Sequence, residues 1–353
     1  MSVKFSLLLI ALAVAACAVA DPADDKVQEM LQKQHVPGAW LVVIKDGKVV
    51  KRKGYGLANI ELGVKMTPET MMQTGSIGKM FTSEGILELV HDGKLKLTDS
   101  LASFFPNSPD WWKPITIQHM LTHTAGIPEY EGDKYTIDLK KEYTEDELVQ
   151  FVQKMKPDLQ PGEKWSYSNT DYMLLGVIIH KLTGKFYADF LADRVFAPAG
   201  MKAIRTNSDT DLIPHRAQGY DTVKDKWFNQ DWVSKTANST ADGTLMASAD
   251  DLIAWDHALD GYKVLSKDFQ DLVWQAQKLN DGKATHYGFA WVVEGIKALA
   301  GHHVVWHNGS WQGFVSSYIR LPDDHVSVML FTNGSNARPD ETAVNIALSY
   351  LKH

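Results

Sequence analysis

A serine followed three residues later by a lysine, Ser76-Ile77-Gly78-Lys79, places a hydroxyl and an amine on one face of a helical turn. A serine hydroxyl is a poor nucleophile until a neighbour takes its proton. A neutral lysine can do that, and a helix N-terminus disfavours the ammonium form. Gly75 and Gly78 beside the pair suit close backbone approach. Two more motifs follow in order, Tyr167-Ser168-Asn169 and His307-Asn308-Gly309-Ser310. A tyrosine held near an ammonium is pushed towards phenolate and can carry a proton, while an asparagine amide can orient a carbonyl or the lysine. A strand through His307 and Gly309 offers bare backbone to an extended substrate, and the Ser310 amide can join that of Ser76 as an oxyanion donor. These are the parts of acyl transfer through an active serine.

Each motif has a plainer reading when taken alone. Ser76 can cap a helix, Lys79 can be a solvated surface residue, Asn169 can be an N-cap and His307 an ordinary strand histidine. A second Ser-x-x-Lys stands at Ser349-Tyr350-Leu351-Lys352, and a second His-x-Gly at His91-Asp92-Gly93 reads as a turn after a helix. Order and context give the set its weight. Metal chemistry has less support. His119 and His123 are four apart on a short helical stretch, and His302, His303 and His307 cluster, yet no His-Glu-x-x-His occurs. Thirteen histidines in 353 residues produce such pairs by chance, so neither a metal nor a cofactor is expected. The Gly-x-Ser-x-Gly elbow of another serine-hydrolase class is absent.

The elements that must position these residues divide the chain into three. A helix over Asp24 to Gln34 and a hairpin, Ala39 to Ile44 then Val49 to Tyr55 about Asp46-Gly47, open it. Strands are expected at Tyr287 to Val293 with His302 to Trp306, at Gly313 to Leu321 and at Val326 to Thr332, before a helix from Pro339 to Leu351. Between them, about 76–280 is helix-dominated, with clear patterns at Met80 to Val90, Thr170 to Leu182, Tyr187 to Phe196 and Asp250 to Leu259. The Met80 to Val90 helix reads as amphipathic. An α+β arrangement follows: one antiparallel sheet from about 37–60 and 285–333, flanked by helices, with a mostly helical region and an active site at the seam.

The first 20 residues read as a signal peptide, with Lys4, an apolar run from Phe5 to Ala16 too short to span a bilayer, and Ala18-Val19-Ala20 before Asp21. The rest, 21–353, reads as a single hydrolase domain. Val14-Ala15-Ala16-Cys17 also resembles a lipobox, so two outcomes stand: a periplasmic or secreted protein, slightly favoured, or a lipoprotein anchored through Cys17. Cys17 is the single cysteine, so no intrachain disulfide can form and stability must come from the core. The formal net charge of −7, with no long basic run, argues against nucleic acid as a partner. No apolar stretch after residue 20 is long enough to cross a membrane. The expected partner is a small-molecule or peptide substrate.

With its motifs in this order, the chain resembles the serine β-lactamase/penicillin-binding superfamily. It is most similar to the class C β-lactamase-like branch, which includes D-Ala-D-Ala carboxypeptidases, D-aminopeptidases and esterases. The similarity covers nearly all of the chain beyond the leader. It includes Gly54-Tyr55-Gly56, Leu121-Thr122-His123-Thr124-Ala125-Gly126-Ile127-Pro128, Pro161-Gly162, Pro198-Ala199-Gly200-Met201 and Ala241-Asp242-Gly243. The resemblance implies a β-lactamase/transpeptidase-like fold, Ser76 as acylated nucleophile and Lys79 as its base. Tyr167 would pass the proton to the leaving group and later activate water. Asn169 would orient Lys79 and substrate, His307 and Gly309 would line the substrate strand, and His123 would be structural and outside the site. The departure is His307-Asn308-Gly309 where class C enzymes place Lys-Thr-Gly. An ordinary histidine is mostly neutral at pH 7 and offers a substrate carboxylate no permanent cation. That favours peptidase or esterase chemistry over a true β-lactamase, with a catalytically idle binding or scaffold protein as the remaining reading.

Overall fold

The structure, a computed structural model, describes residues 22–351. The leader and Cys17 lie outside the described residues. Helix α1 (Pro22–Lys33) leads into β1 (Gly38–Lys45), β2 (Lys48–Asn59) and the short β3 (Val64–Lys65). The β1–β2 turn needs left-handed backbone at both central residues, and Asp46 and Gly47 supply it at φ 50° and 71°. Three strands near the C-terminus, β4 (Val305–Trp311), β5 (Phe314–Leu321) and β6 (Val326–Thr332), complete a sheet of order β3-β2-β1-β6-β5-β4. The pairing of β1 with β6 joins the two ends of the chain, with Leu41 opposite Leu330.

Strand β1 is buried on both faces, which explains its unbroken apolar run. Trp40, Val42 and Ile44 face the helical half, with Trp40 stacked on Phe331 at 4.2 Å. Ala39, Leu41 and Val43 face α1 and the final helix. The period-2 alternation thus serves two cores.

The helical half is built on α2 (Gly78–His91) and α3 (Asn169–Thr183), with α4 (Ala249–Asp260) packed beside the sheet and α5 (Pro339–Leu351) on its outer face. Helix α2 is not the amphipathic surface helix its pattern suggests: every residue from Gly78 to Leu89 is buried. Its polar members are paired or buried within the protein. Thr82 Oγ1 donates to the Ala241 carbonyl, and Glu88 accepts from Arg194. Such a central helix can hold a lysine out of water.

One further expectation is corrected. Tyr287 to Val293 is not a strand but a tight turn with isolated bridges, since Ala290 sits at φ 61° and Phe289 N–H donates to Val273 instead of a strand neighbour. The helix-dominated 76–280 stretch also carries short β elements: Leu245–Ala247 pairs with Arg205–Thr206 and with Met72–Gln73 just before the stretch, and Tyr220–Val223 forms a hairpin with Lys226–Asn229. No helix among the described residues is long and apolar enough to cross a membrane.

Candidate active site

Ser76 lies in a 3-10 turn, Gly75–Ile77, that runs straight into α2. Edge strand β4 passes directly over this turn. Gly75 has φ 53°, and a Cβ there would lie 2.3 Å from Ser310 N. A Cβ on Gly309 would lie 2.1 Å from the Thr74 carbonyl oxygen and 3.0 Å from Ser76 N. Glycine at both positions lets the two backbones meet, which brings the amides of Ser76 and Ser310 to one place. The Ser316 hydroxyl clamps the contact by donating to the Thr74 carbonyl at 2.9 Å.

Lys79 is fully buried. Its Nζ donates to Ser76 Oγ at 3.1 Å, to Asn169 Oδ1 at 2.6 Å and to the Asp242 carbonyl. These three acceptors use all three ammonium hydrogens. Asn169 opens α3, and its own N–H donates to Glu129 Oε2 at 2.7 Å, so a carboxylate sits at that helix N-terminus. Lys79 Nζ lies 4.9 Å from the centre of the Tyr167 ring. The Tyr167 hydroxyl is buried and has no hydrogen-bond partner among the described residues. A pocket of about 80 Å³ opens beside Ser76, lined also by Asn169, Ser310, Glu131 and Asp242.

His307 is brought close but does not face this pocket. It is buried in β4, its ring 6.2 Å from that of Tyr167. Its Nδ1 is 2.6 Å from the Asn308 carbonyl, which only accepts, so Nδ1 carries the proton. Nε2 then accepts from the Tyr287 hydroxyl at 2.8 Å. Burial, with the nearby Lys79 charge adding to it, pushes the His307 pKa down to about 4. The ring is neutral at pH 7 and both its nitrogens are occupied.

His123, set aside in the sequence as structural, lies against the site. Its ring centre is 4.3 Å from that of Tyr167. His119 and His123 do not share a helix face, because the helix ends at Leu121 and His123 follows it at φ 54°. His123 Nδ1 lies 3.0 Å from Asp171 Oδ2 and accepts from Ser168 N–H. Burial raises the Asp171 pKa well above the usual carboxylate range and lowers that of His123 well below its own. The contact is therefore a neutral hydrogen bond, with Asp171 donating, and not an ion pair. It fixes the ring on which Tyr167 rests. The sequence signal was the Leu121 to Pro128 motif; its proximity to Tyr167 was not legible there.

Glu131 and Asp242 line the pocket beside Ser76, and Glu129 sits at the start of α3; sequence reasoning assigned none of them to the candidate site. Burial and the charges of Asp242 and Glu129 raise the Glu131 pKa to about 8. These residues come from loops that follow no catalytic spacing. A larger cavity of about 540 Å³, between Leu148, Val177 and Ala241, contains none of Ser76, Lys79, Tyr167, Asn169, His307 and Gly309.

A six-stranded antiparallel sheet with a helical half, and a serine–lysine pair at their seam, defines the β-lactamase/penicillin-binding class of fold. The octameric penicillin-binding protein homologue from Pyrococcus abyssi superposes with a TM-score of 0.80 at 28% identity, over 93% of this chain and 76% of that one. The D-amino acid amidase from Ochrobactrum anthropi SV3, complexed with L-phenylalanine amide, shares the fold at a TM-score of 0.75 and 23% identity, over 94% and 97% of the two chains. In sequence, penicillin-binding protein 4* of Bacillus subtilis (strain 168) is 28% identical over 337 residues, 92% of this chain and 74% of that protein. The family model described as Beta-lactamase matches residues 23–351, and the chain belongs to that family of serine hydrolases.

Proposed function

We propose that this chain is an exported serine hydrolase that acts through a covalent acyl-enzyme on an amide or ester, as a peptidase or esterase and not as an efficient β-lactamase. The observation that carries this is the buried Lys79 ammonium 3.1 Å from Ser76 Oγ, with Ser76 and Ser310 lining one pocket. Ser76 Oγ attacks the substrate carbonyl carbon as its proton leaves for Lys79. That step requires the neutral amine, with one of the three resting hydrogen bonds given up. The amides of Ser76 and Ser310 receive the oxyanion. Tyr167, with its unpartnered hydroxyl beside Lys79, relays the proton to the leaving group as the carbonyl–heteroatom bond breaks. Water then attacks the ester on Ser76, gives its proton back along the same path and releases the acid.

The preference against β-lactams rests on His307. A β-lactam carries a carboxylate, and His307 is neutral, buried and hydrogen-bonded on both nitrogens. Export rests on the Phe5 to Ala16 run and Ala18-Val19-Ala20. The test is intact mass after treatment with a fluorophosphonate and, separately, with penicillin. One phosphonate adduct, absent in Ser76→Ala, together with ester turnover supports the reading. Rapid multiple turnover of a chromogenic cephalosporin would replace it with a β-lactamase. No adduct and no turnover would make the chain an idle family member.

A further inference from the structure

Outside the catalytic pocket, a groove of about 240 Å³ is lined by six side-chain amides, those of Gln73, Asn207, Gln218, Gln230, Asn238 and Gln312. It shares a wall with the pocket beside Ser76: Asn238 Oδ1 accepts from Trp311 Nε1 at 3.0 Å, and Trp311 lines that pocket. Asn238 Oδ1 also faces Gln73 Nε2, which leaves the Asn238 NH2 group to the groove. Gln73 is only 3% exposed, yet its Oε1 has no hydrogen-bond partner among the described residues. A buried acceptor left without a donor costs about 1–3 kcal/mol, and a ligand hydroxyl on the groove floor would recover it. Charge in the groove is balanced. Asp231 pairs with Lys140 at 3.0 Å, and Asp209 accepts from Trp232 Nε1 at 3.0 Å beside the Arg216 of the lining. Trp232 is 56% exposed, and the bond to Asp209 holds its ring as a flat apolar face on the groove.

These features select a ligand chemistry. An amide presents a donor and an acceptor side by side, and a hydroxyl is both, so a row of amides satisfies neighbouring hydroxyls in any orientation. An anion would face Asp209 and Asp231, and a cation would face Arg216. A wholly apolar ligand would leave the amides unpaired. A sugar ring meets every requirement, with hydroxyls around its edge and C–H groups on the face that packs against an aromatic ring. The volume lies below the usual range for a drug-sized ligand, which suits a single ring and not a long chain.

We propose that this groove is a binding site for a neutral saccharide, with one sugar ring stacked on Trp232 and its hydroxyls paired with Gln73, Asn238 and Gln312. The site is separate from the acyl pocket and borders it across Trp311. Saccharide binding here does not depend on the acyl-enzyme reading above.

The experiment is saturation-transfer NMR on the protein with the methyl glycosides of glucose, galactose, mannose, xylose and N-acetylglucosamine, and with maltose and cellobiose. Uracil and glycylglycine serve as amide-bearing ligands of similar polarity. At least one saccharide is expected to bind with a dissociation constant on the order of millimolar, which is what a ligand of this size reaches. Uracil and glycylglycine should bind at least about tenfold more weakly than that saccharide. Trp232→Ala should weaken the saccharide by about tenfold, while Trp232→Phe, which keeps an aromatic face, should stay within about threefold of wild type. Because Trp232 is exposed, circular dichroism should show both variants folded. Ser76→Ala should bind the saccharide as the wild type does. Failure of every saccharide to bind overturns the inference, as does binding of uracil or glycylglycine equal to that of the best saccharide. It is equally overturned if Trp232→Ala binds unchanged, if Trp232→Phe is as weak as Trp232→Ala, or if Ser76→Ala loses binding, which would put the sugar in the acyl pocket. Absence of fluorophosphonate labelling in the wild type would instead remove the serine-hydrolase reading and leave the saccharide site standing.

Discussion

Gly309→Ala tests whether contact between strand β4 and the serine turn places the oxyanion donors. The new methyl would stand 2.1 Å from the Thr74 oxygen, 2.7 Å from Ser316 Oγ and 3.0 Å from Ser76 N. A Cβ does not approach a heavy atom closer than 3.0 Å, so strand and turn must part by at least 0.9 Å, the gap between 2.1 and 3.0 Å. The Thr74 oxygen is backbone and cannot rotate away, and the Ser316 hydroxyl that clamps it must move as well. Overpacking of this kind costs about 1–3 kcal/mol of stability. A displacement of about 1 Å in a reacting constellation costs on the order of a hundredfold in rate. The expected result is a folded protein whose kcat/KM on an ester falls about a hundredfold, with fluorophosphonate labelling slowed in parallel. Gly261→Ala is the control, since its Cβ would meet nothing closer than 3.3 Å and its φ is negative. Ester hydrolysis, labelling rate and urea denaturation measure the three quantities. Turnover within twofold of wild type in a folded Gly309→Ala would refute the placement of the oxyanion amides at this contact.

Other expectations follow from the same contacts. Lys79→Ala should abolish at least about 99.9% of ester turnover while circular dichroism shows a folded chain, because Ser76 loses its proton acceptor; substantial residual turnover would assign the base elsewhere. Asp171→Asn should change stability by less than about 1 kcal/mol, since an amide can donate to His123 as the protonated acid does, whereas His123→Phe should cost about 1–3 kcal/mol in urea denaturation by stranding Asp171 and the Ser168 amide. Glu84, buried on α2 near Glu88, has its pKa raised from an ordinary 4.5 to about 8. A raised carboxylate pKa means the folded state holds its proton more tightly, so this contribution is complete below pH 4.5 and fades as pH rises through 8. Glu84→Gln should therefore flatten the fall in stability between those values, by on the order of a few kcal/mol, and an unchanged slope would contradict it. Arg320→Met leaves Asp256 buried without its ion-pair partner and should cost about 3–5 kcal/mol, read from the urea midpoint.

What the sequence disclosed was what local geometry controls. Ser76 and Lys79 meet because residues three apart share a helix face, and that spacing survives any tertiary context. The Ala39 to Ile44 run and the Asp46-Gly47 turn located β1 within a residue at each end and the start of β2, which runs on to Asn59, four residues past the expected Tyr55. The hairpin at 220–229 went unseen because Lys224 and Asp225 occupy its two left-handed turn positions, without the glycine that marks such turns. Helix α2 looked amphipathic because Thr82, Ser83, Glu84 and Glu88 are polar; their burial depends on Arg194 and Ala241, more than a hundred residues away. His307 carried the right position in the chain for a substrate contact, but whether its ring faces the pocket depends on Tyr287, which no spacing rule connects to it.

The charge balance of the site follows from how a buried ammonium is stabilised. Lys79 has no carboxylate in direct contact; its three donors meet a hydroxyl, an amide oxygen and a backbone carbonyl. These neutral acceptors orient Nζ towards Ser76 without a contact ion pair among the described residues. Carboxyl groups sit one layer away, on Glu129, Glu131 and Asp242; burial raises the pKa of both glutamates, and the Lys79 charge opposes that rise. The layer behind Tyr167 is kept neutral by the opposite device, with Asp171 protonated against His123 and His307 uncharged against Tyr287. One wall of the site is thus acidic and the other apolar and uncharged.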